Sequence, residues 1–138
     1  MSELSRIGVA IDSDLLKKFD KLIAGRGYTN RSEAFRDLIR DELVEQAWER
    51  PDSNVVGTVM LVYDHHVRLL NEKLTDLQHS HFQHILSTMH VHLDHDNCLE
   101  VLVVKGRANV VKKIADALIS TKGVKHGRLT VSTTGAEL

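Results

Sequence analysis

The chain has 138 residues, with 18 Lys and Arg against 19 Asp and Glu, and its net charge is −1. This balance excludes a basic surface over the whole chain, so any contact with nucleic acid has to be local. The single cysteine excludes an internal disulfide, and the apolar runs are too short for a signal peptide or a membrane span. We therefore expect a reducing, cytoplasmic location.

Residues 5–11 alternate in polarity and predict a short β-strand. The two faces of this strand carry Ile7, Val9 and Ile11 on one side and Arg6, Gly8 and Ala10 on the other. Two helices should follow. Asp12 and Ser13 can cap the first, and Gly25 should end it. Asn30 opens the second with Glu33 three residues on, a variant of the capping box.

One strand and two helices in about fifty residues bury too little surface to be stable alone, and a lone strand has two unpaired edges. Two chains that pair their strands antiparallel remove both problems. Residues 1–50 therefore predict a ribbon-helix-helix domain for DNA binding and dimerisation, since a two-stranded ribbon fits the major groove. A helix-turn-helix and a helical hairpin used only for dimerisation are the alternatives. The predicted contacts with base edges are made by Arg6, Gly8 and Ala10. The predicted contact with a phosphate is made by the backbone amides of Asn30, Arg31 and Ser32.

The second half of the chain has a different pattern. Residues 51–54 are turn formers and predict a linker. Strands are expected over 55–63, 85–93, 98–105 and 127–133, with helices over 66–78 and 108–119. This βαββαβ order predicts a ferredoxin-like domain over residues 55–138, of the kind found in regulatory ligand-binding domains, and an α+β chain as a whole.

The predicted hairpin holds the most specific chemical pattern. Alternation places His90 and His92 on one face of a strand, and Cys98 opens the returning strand. Cys98 lies opposite His92 only if the loop is odd, such as residues 94–96. Two imidazoles and one thiolate then predict a nitrogen/sulfur site for a transition metal, and a hairpin with ordinary surface histidines is the alternative.

Eight of the nine histidines fall between His65 and His95. Three of them, His79, His81 and His84, lie between the preceding helix and the hairpin, and any of these three could add a fourth ligand from the same chain or a neighbour. His65 and His66 could form a secondary metal site with His81, although solvated loop histidines are the alternative. Glu33 and Asp37 are one helical turn apart and could hold a cation, or be an ordinary exposed acidic pair.

Several motifs together resemble the nickel-responsive repressor family NikR, over nearly the whole chain. They are Asn30-Arg31-Ser32-Glu33, Gln78-His79, the hairpin motif His90-Val91-His92-Leu93-x-His95-Asp96-x-Cys98-Leu99-Glu100, Lys105-Gly106 and Gly123-Val124-Lys125-His126-Gly127. The resemblance implies an ACT-type second domain, a homotetramer built as a dimer of dimers, and one Ni(II) per chain. It implies that the ligands are His90, His92 and Cys98 of one chain with His79 of the facing chain.

The resemblance also implies that Ni(II) promotes binding to operator DNA and represses transcription, with nickel-uptake genes as the natural target. Members of the family commonly carry hydroxyl residues on the outward face of the ribbon, where this chain has Gly8 and Ala10. Neither side chain can hydrogen-bond a base, so direct readout would rest mainly on Arg6.

Other function classes are less consistent with the pattern. Four protein ligands would close the site to a substrate, and no carboxylate spacing marks a general base, so we expect no enzyme. A sensor of another metal such as Cu or Co, or an ACT-type regulator that senses an amino acid, is the alternative. Cu(II) also accepts a square plane, so selectivity for nickel would depend on geometry and on metal supply.

Overall fold

A computed structural model describes residues 2–138. These residues form two compact units that divide between Arg40 and Asp41. Among the residues described, no helix is both long and apolar enough to cross a membrane. The unit boundary lies before the linker expected at residues 51–54, because the end of the second helix packs with the sheet that follows.

The first unit contains helix α1, Ser13–Gly25, and the start of helix α2, Arg31–Glu49. Both predicted N-caps are confirmed. The Asp12 carboxylate accepts from the backbone N–H of Asp14 at 2.9 Å, and the Asn30 side chain accepts from the N–H of Glu33 at 2.9 Å. Gly27 has a φ of 85°, a left-handed conformation that suits glycine and turns the chain between the helices.

The strand predicted over residues 5–11 is not formed in the single chain, where residues 2–12 belong to no helix or strand. Ile7 is 81% exposed and Val9 is 60% exposed. A strand needs a hydrogen-bonding neighbour, and the segment finds none within its own chain. The prediction of a ribbon therefore depends on a second copy of the chain.

The second unit has the predicted βαββαβ order. Its elements are β1 Asn54–Asp64, α3 Leu70–Ser80, β2 Ile85–His92, β3 Asn97–Arg107, α4 Ala108–Ile119 and β4 Val124–Ser132. The four strands form one sheet in the order β2-β3-β1-β4, and every neighbouring pair is antiparallel. This is the ferredoxin-like arrangement, so the fold predicted for the domain is confirmed.

The core of this unit lies on one face of the sheet. Alternate residues of β1 and β3 are buried there together with the apolar residues of α3 and α4, among them Val59, Leu61, Leu74, Leu102, Ile114 and Leu118. Trp48, near the end of α2, belongs to the same core, and its indole N–H donates to the Ser132 carbonyl at 2.9 Å. This packing is why the unit begins within α2 rather than after it.

Two predicted boundaries in this unit are wrong. Helix α3 begins at Leu70 rather than at residue 66, because Leu69 has a φ of 66° and cannot continue a right-handed helix. The spacing of Val67 and Leu70 resembled a helix, but Val67 lies in the turn before it. Strand β4 begins at Val124, three residues before the predicted start, because its register with β1 reaches Tyr63.

Candidate metal centre

The β2–β3 hairpin has the register that the sequence predicted. His92 pairs with Cys98 and His90 pairs with Glu100, so these side chains share the helix-covered face of the sheet. The odd loop is residues 94–96. The Asp94 carboxylate holds this loop by accepting from the backbone N–H groups of Asp96 and Asn97, at 2.9 and 2.8 Å. These hydrogen bonds lower the pKa of Asp94, those from Asn97 most of all.

The Cys98 thiol lies at the centre of a group of possible metal ligands. Its Sγ is 3.2 Å from Nδ1 of His65 and 3.5 Å from Nδ1 of His92. The ligand atoms of these three residues all lie within 4.8 Å of one another. Cys98 is fully buried whereas His92 is exposed, so the group has one side in the core and one side toward solvent.

Burial raises the pKa of the Cys98 thiol, and the carboxylates of Asp64, Asp94 and Glu100 raise it further. Without a metal the sulfur therefore keeps its proton at neutral pH. A bound cation would offset the rise in pKa from burial and from the carboxylates, because a thiol that coordinates a cation is deprotonated. The free thiol is therefore not a reactive thiolate.

His90 lies next to this group rather than within it. Its ring centroid is 5.2 Å from that of His92, and its Nδ1 is 3.5 Å from the Tyr63 hydroxyl. His79 is exposed on the last turn of α3 and belongs to none of the groups of potential ligands found among residues 2–138. The single chain thus brings together two of the predicted ligands, His92 and Cys98, with His90 beside them and His79 apart.

His65 is the contact that the sequence did not predict. It was considered only for a secondary site, yet its imidazole is the closest of the possible ligands to the sulfur. The reason is the β1–β3 register, which pairs Tyr63 with Cys98 and leaves His65 just beyond the end of β1. The sequence does show a histidine directly after a buried strand. It does not show which residue of β3 lies next to that histidine, because the two strands are far apart in the chain.

A network of hydrogen bonds connects the hairpin to helix α3. Glu100 is only 5% exposed, and one carboxylate oxygen accepts from the Tyr63 hydroxyl at 2.8 Å. The other accepts from the Gln78 amide at 2.7 Å, and Gln78 in turn accepts from the Thr88 hydroxyl at 3.2 Å. Burial and the Glu100 carboxylate raise the pKa of Tyr63, which keeps its proton for this bond.

The donor atoms fit the nickel site that the resemblance implies. Imidazole nitrogen and thiolate sulfur are ligands that suit Ni(II), Cu and Zn(II) better than Mg²⁺ or Ca²⁺. The strand pairing places the backbones of His92 and Cys98 side by side, and one side of His92 is open to solvent. A ligand supplied by a second chain is compatible with this opening.

The predicted DNA contacts lie in the first unit. Arg6, Gly8 and Ala10 are exposed in the segment without a strand. Asn30 uses its side chain to cap α2. The Arg31 guanidinium donates twice to Asp20, at 2.9 and 2.8 Å, so this side chain is engaged within the unit. The hydrogen bond from Arg31 lowers the pKa of Asp20.

Ser32 and Asp37 form contacts within their own unit. The Ser32 carbonyl accepts from Arg36 at 3.3 Å. Asp37 accepts from the Tyr28 hydroxyl and lies 3.9 Å from Arg40. That Glu33 and Asp37 hold a cation stays a prediction.

Comparison with known proteins gives a consistent result for both units. Residues 5–46 match the model of the ribbon-helix-helix proteins of the copG family, and residues 56–132 match the NikR C-terminal nickel-binding domain. A protein of Solibacter usitatus is 79% identical over 138 residues, which is 100% of this chain and 99% of its own length. One from Geobacter sulfurreducens is 62% identical with the same coverage. Both carry the name nickel-responsive regulator.

Proposed function

Since the chain belongs to the NikR family, with a ribbon-helix-helix unit followed by the family's C-terminal nickel-binding domain, we propose that it is a nickel-responsive transcriptional regulator. In this proposal Ni(II) bound to the second domain promotes binding of the first to operator DNA, and transcription of nickel-uptake genes is repressed. The protein acts in the cytoplasm, as a homotetramer with one Ni(II) per chain.

The observation that carries the proposal is the pairing of His92 with a buried Cys98 across an antiparallel hairpin, with His90 two residues away on the same face. We assign His90, His92 and Cys98 as three ligands of one chain, and His79 of the partner subunit as the fourth. Three imidazoles and one thiolate in a plane suit Ni(II), whereas Zn(II) prefers a tetrahedron.

The contact between His65 and Cys98 defines a competing ligand set within one chain. If His65 supplied a ligand, the site would be complete without a partner subunit and would not connect two chains. The two sets therefore predict different consequences for oligomer coupling, and His65 and His79 have to be tested side by side.

The chain's own residues transmit the state of the site. Bound nickel supplies a fixed coordination geometry to its ligands. Gln78, which precedes His79, donates to Glu100 at 2.7 Å, so a hydrogen bond connects the end of α3 to the strand that carries Cys98. A ligand shared between chains restrains α3 in both, and this restraint would favour the arrangement in which two ribbons reach the half-sites of one operator.

DNA contacts follow from the first unit. The ribbon of two chains would present Arg6, Gly8 and Ala10 to base edges, with Arg6 as the only one of the three able to donate hydrogen bonds to a base from its side chain. The amides of the α2 N-terminus, around Asn30, Arg31 and Ser32, would bind a phosphate. For the Arg31 side chain to contact DNA, its two bonds to Asp20 must be exchanged for phosphate.

A titration of the purified apo-protein with Ni(II), followed by absorption, tests the proposal. We expect a thiolate-to-nickel charge-transfer band that saturates at one ion per chain. The band should be lost in Cys98→Ala and strongly weakened in His79→Ala, His90→Ala and His92→Ala. The control is His126→Ala, since His126 is exposed on β4 outside these groups.

The outcomes separate the ligand sets. A band that survives in His79→Ala and disappears in His65→Ala would establish the single-chain set and contradict a site shared between subunits. A band that none of these substitutions affects, or no band at all, would contradict the nickel-sensing function. Binding of operator DNA only when an amino acid is added would support the alternative of a small-molecule sensor.

A further inference from the structure

The first turn of helix α4 contacts the linker residues 51–53, which lie between α2 and β1. The N-cap of α4, Arg107, makes no capping hydrogen bond with its side chain. The first backbone N–H groups of a helix have no partner inside the helix. In α4 the N–H of Ala108 donates to the Ser53 carbonyl and the N–H of Asn109 donates to the Pro51 carbonyl, each at 2.9 Å. The linker therefore caps α4 in place of a side chain.

Lys112, one turn further along α4, contacts the C-terminal end of α2. Its Nζ donates to the Trp48 carbonyl at 2.8 Å. The last carbonyl groups of a helix have no partner inside the helix and carry a partial negative charge, which a cation stabilises. The last turn of α2 contains no basic residue of its own. Lys112 therefore supplies, from another helix, the cation that this end of α2 lacks.

The sheet holds the same end of α2 from its other side. Trp48 is only 3% exposed, and its indole N–H donates to the Ser132 carbonyl of β4 at 2.9 Å. Asn54 pairs with Arg107 in the sheet, so the end of the linker and the start of α4 lie side by side. These four hydrogen bonds, two from the backbone of α4, one from Lys112 and one from the indole, connect residues 48–53 to the second unit.

We propose that Lys112 is a positioning residue for DNA binding, because it fixes the C-terminal end of α2 to the second unit. Helix α2 is continuous from Arg31 to Glu49, and the amides assigned to a phosphate lie at its opposite end. A change in the second unit then reaches α2 through this contact rather than through a free linker. The inference rests on the proposed function, in which nickel in the second unit acts on DNA binding by the first.

The hydrogen bond from Lys112 is the one of the four that a substitution can remove without changing the core. The Lys112 side chain is exposed, whereas Trp48 is buried. The bond is charge-assisted, and such bonds are about twice as strong as bonds between neutral groups. Lys112→Met removes the donor and keeps an unbranched side chain, and Lys112→Arg keeps a charged donor. The matched control is Lys113→Met, since Lys113 is exposed and makes none of the four bonds.

Hydrogen exchange of the full-length protein, free of metal and DNA, tests the contact itself. In Lys112→Met the amides of Ala108 and Asn109, which donate to the linker, should exchange about three to ten times faster. The amide of Ser120 at the other end of α4 should exchange at an unchanged rate. Lys112→Arg should restore slow exchange, and Lys113→Met should have no effect.

The second measurement is the factor by which Ni(II) raises the affinity of the assembled protein for DNA. The probe is a duplex selected from a random pool by the wild-type protein in the presence of Ni(II). In Lys112→Met this factor should fall at least about threefold, while the affinity for Ni(II) without DNA stays within about twofold of wild type. A role limited to stability would not change the coupling factor. Lys112→Arg should restore the factor, and Lys113→Met, which loses the same charge, should keep it.

The inference is overturned if exchange is unchanged in Lys112→Met, or if Lys113→Met increases it equally. Faster exchange together with an unchanged coupling factor also overturns it, because Lys112 would then stabilise the linker without positioning α2 for DNA. If the wild-type protein shows no coupling, the proposed function fails, while faster exchange in Lys112→Met alone still supports the contact between α4 and the end of α2. The two failures are therefore distinguishable.

Discussion

The Cys98 sulfur lies where burial opposes the negative charge that a metal ligand must carry. Burial and three neighbouring carboxylates raise the pKa of its thiol, so the apo-protein holds this proton below and around neutral pH. As a nickel ligand in the proposed site, Cys98 would have to lose this proton to each ion. Below the pKa of the thiol, the apparent affinity for Ni(II) should therefore fall about tenfold for each pH unit. This is the contribution of the thiol proton alone.

Competition titrations between about pH 7 and about pH 8, together with proton release in weakly buffered solution, measure this dependence. The comparison is with Cys98→Ala, in which the residual binding by histidines should release about one proton fewer per ion. Equal slopes for the two proteins would mean that the sulfur is not a ligand.

The residues of the site differ in how far the sequence could predict them. His90, His92 and Cys98 follow from local rules, because strand alternation and a three-residue loop fix which side chains share a face. The contact of His65 with the sulfur depends on the pairing of β1 with β3, whose residues are separated by more than thirty positions. His79 has no ligand group in a single chain, since its proposed neighbours belong to another subunit.

A polar side chain at the C-terminal end of α3 adds a hydrogen bond to the sheet beside the apolar packing of Leu70 and Leu74. Gln78 donates to a Glu100 oxygen at 2.7 Å, and Glu100 is buried. In Gln78→Ala this oxygen loses its partner, so the free energy of unfolding should fall by about 1–3 kcal/mol. Urea unfolding of the metal-free protein measures the change, with the exposed Lys73→Ala in the same helix as control.

Hydrogen exchange gives a second measurement of the same change. The amides of the last turn of α3 should exchange faster in Gln78→Ala, whereas those of α4 should not. Nickel affinity should also decrease, because His79 follows Gln78 directly. Unchanged stability and exchange would mean that the amide bond is not what positions this helix end.

Strand β1 and the end of α2 meet at a glycine. A Cβ atom at Gly57 would lie 3.0 Å from the Thr130 carbonyl oxygen and 3.0 Å from the Trp48 ring. Because the carbonyl is part of the β1–β4 pairing and cannot move freely, Gly57→Ala should destabilise the second unit by about 1–3 kcal/mol. Gly25→Ala is the control, since nothing lies within 4 Å of a Cβ there.

The fluorescence of the only tryptophan, Trp48, measures this effect directly, because its ring is the atom group that must shift. We expect a red shift of the emission and a lower midpoint of unfolding in Gly57→Ala. An unchanged emission spectrum would show that α2 adjusts without leaving the core.

At the scale of the elements, the patterns that were predicted well are those with a local cause. Both caps of the first unit and the βαββαβ order follow from short stretches of sequence. The start of α3 does not, because apolar spacing continued through Val67 while the backbone of Leu69 is left-handed. The compact units divide within α2 because Trp48 hydrogen-bonds to β4, a contact between positions far apart in the chain.

At the scale of the whole molecule, the exposed apolar residues of the first unit indicate where a second copy of the chain would pair. Ile7 and Val9 are largely exposed, and Leu15, Leu38 and Ile39 are exposed as well. Apolar exposure on this scale is typical of an interface. Ile7→Asp should therefore shift the protein toward monomers and abolish operator binding, as measured by light scattering and by DNA titration.

Gly8→Ser is the matched control for this substitution. It lies on the opposite face of the predicted ribbon, where nothing is within 4 Å of a Cβ, so the oligomer should be retained. Nickel coordination by the hairpin of each chain should not require the ribbon. A dimer that persists in Ile7→Asp would contradict a ribbon formed by this segment.

The coupling between nickel binding and DNA binding can be measured in two ways: as the effect of Ni(II) on the affinity for DNA, or as the effect of DNA on the affinity for Ni(II). If Ni(II) raises the affinity for operator by some factor, operator must raise the affinity for Ni(II) by the same factor, since both report one coupling free energy. We expect a factor of about 5–150, the range usual for such coupling. His79→Ala should bring the factor close to one in both directions, because it removes the ligand that we propose connects the subunits. His65→Ala should leave it intact, and loss of coupling in His65→Ala alone would transfer the regulatory role from the partner subunit's histidine to the one already in contact with Cys98.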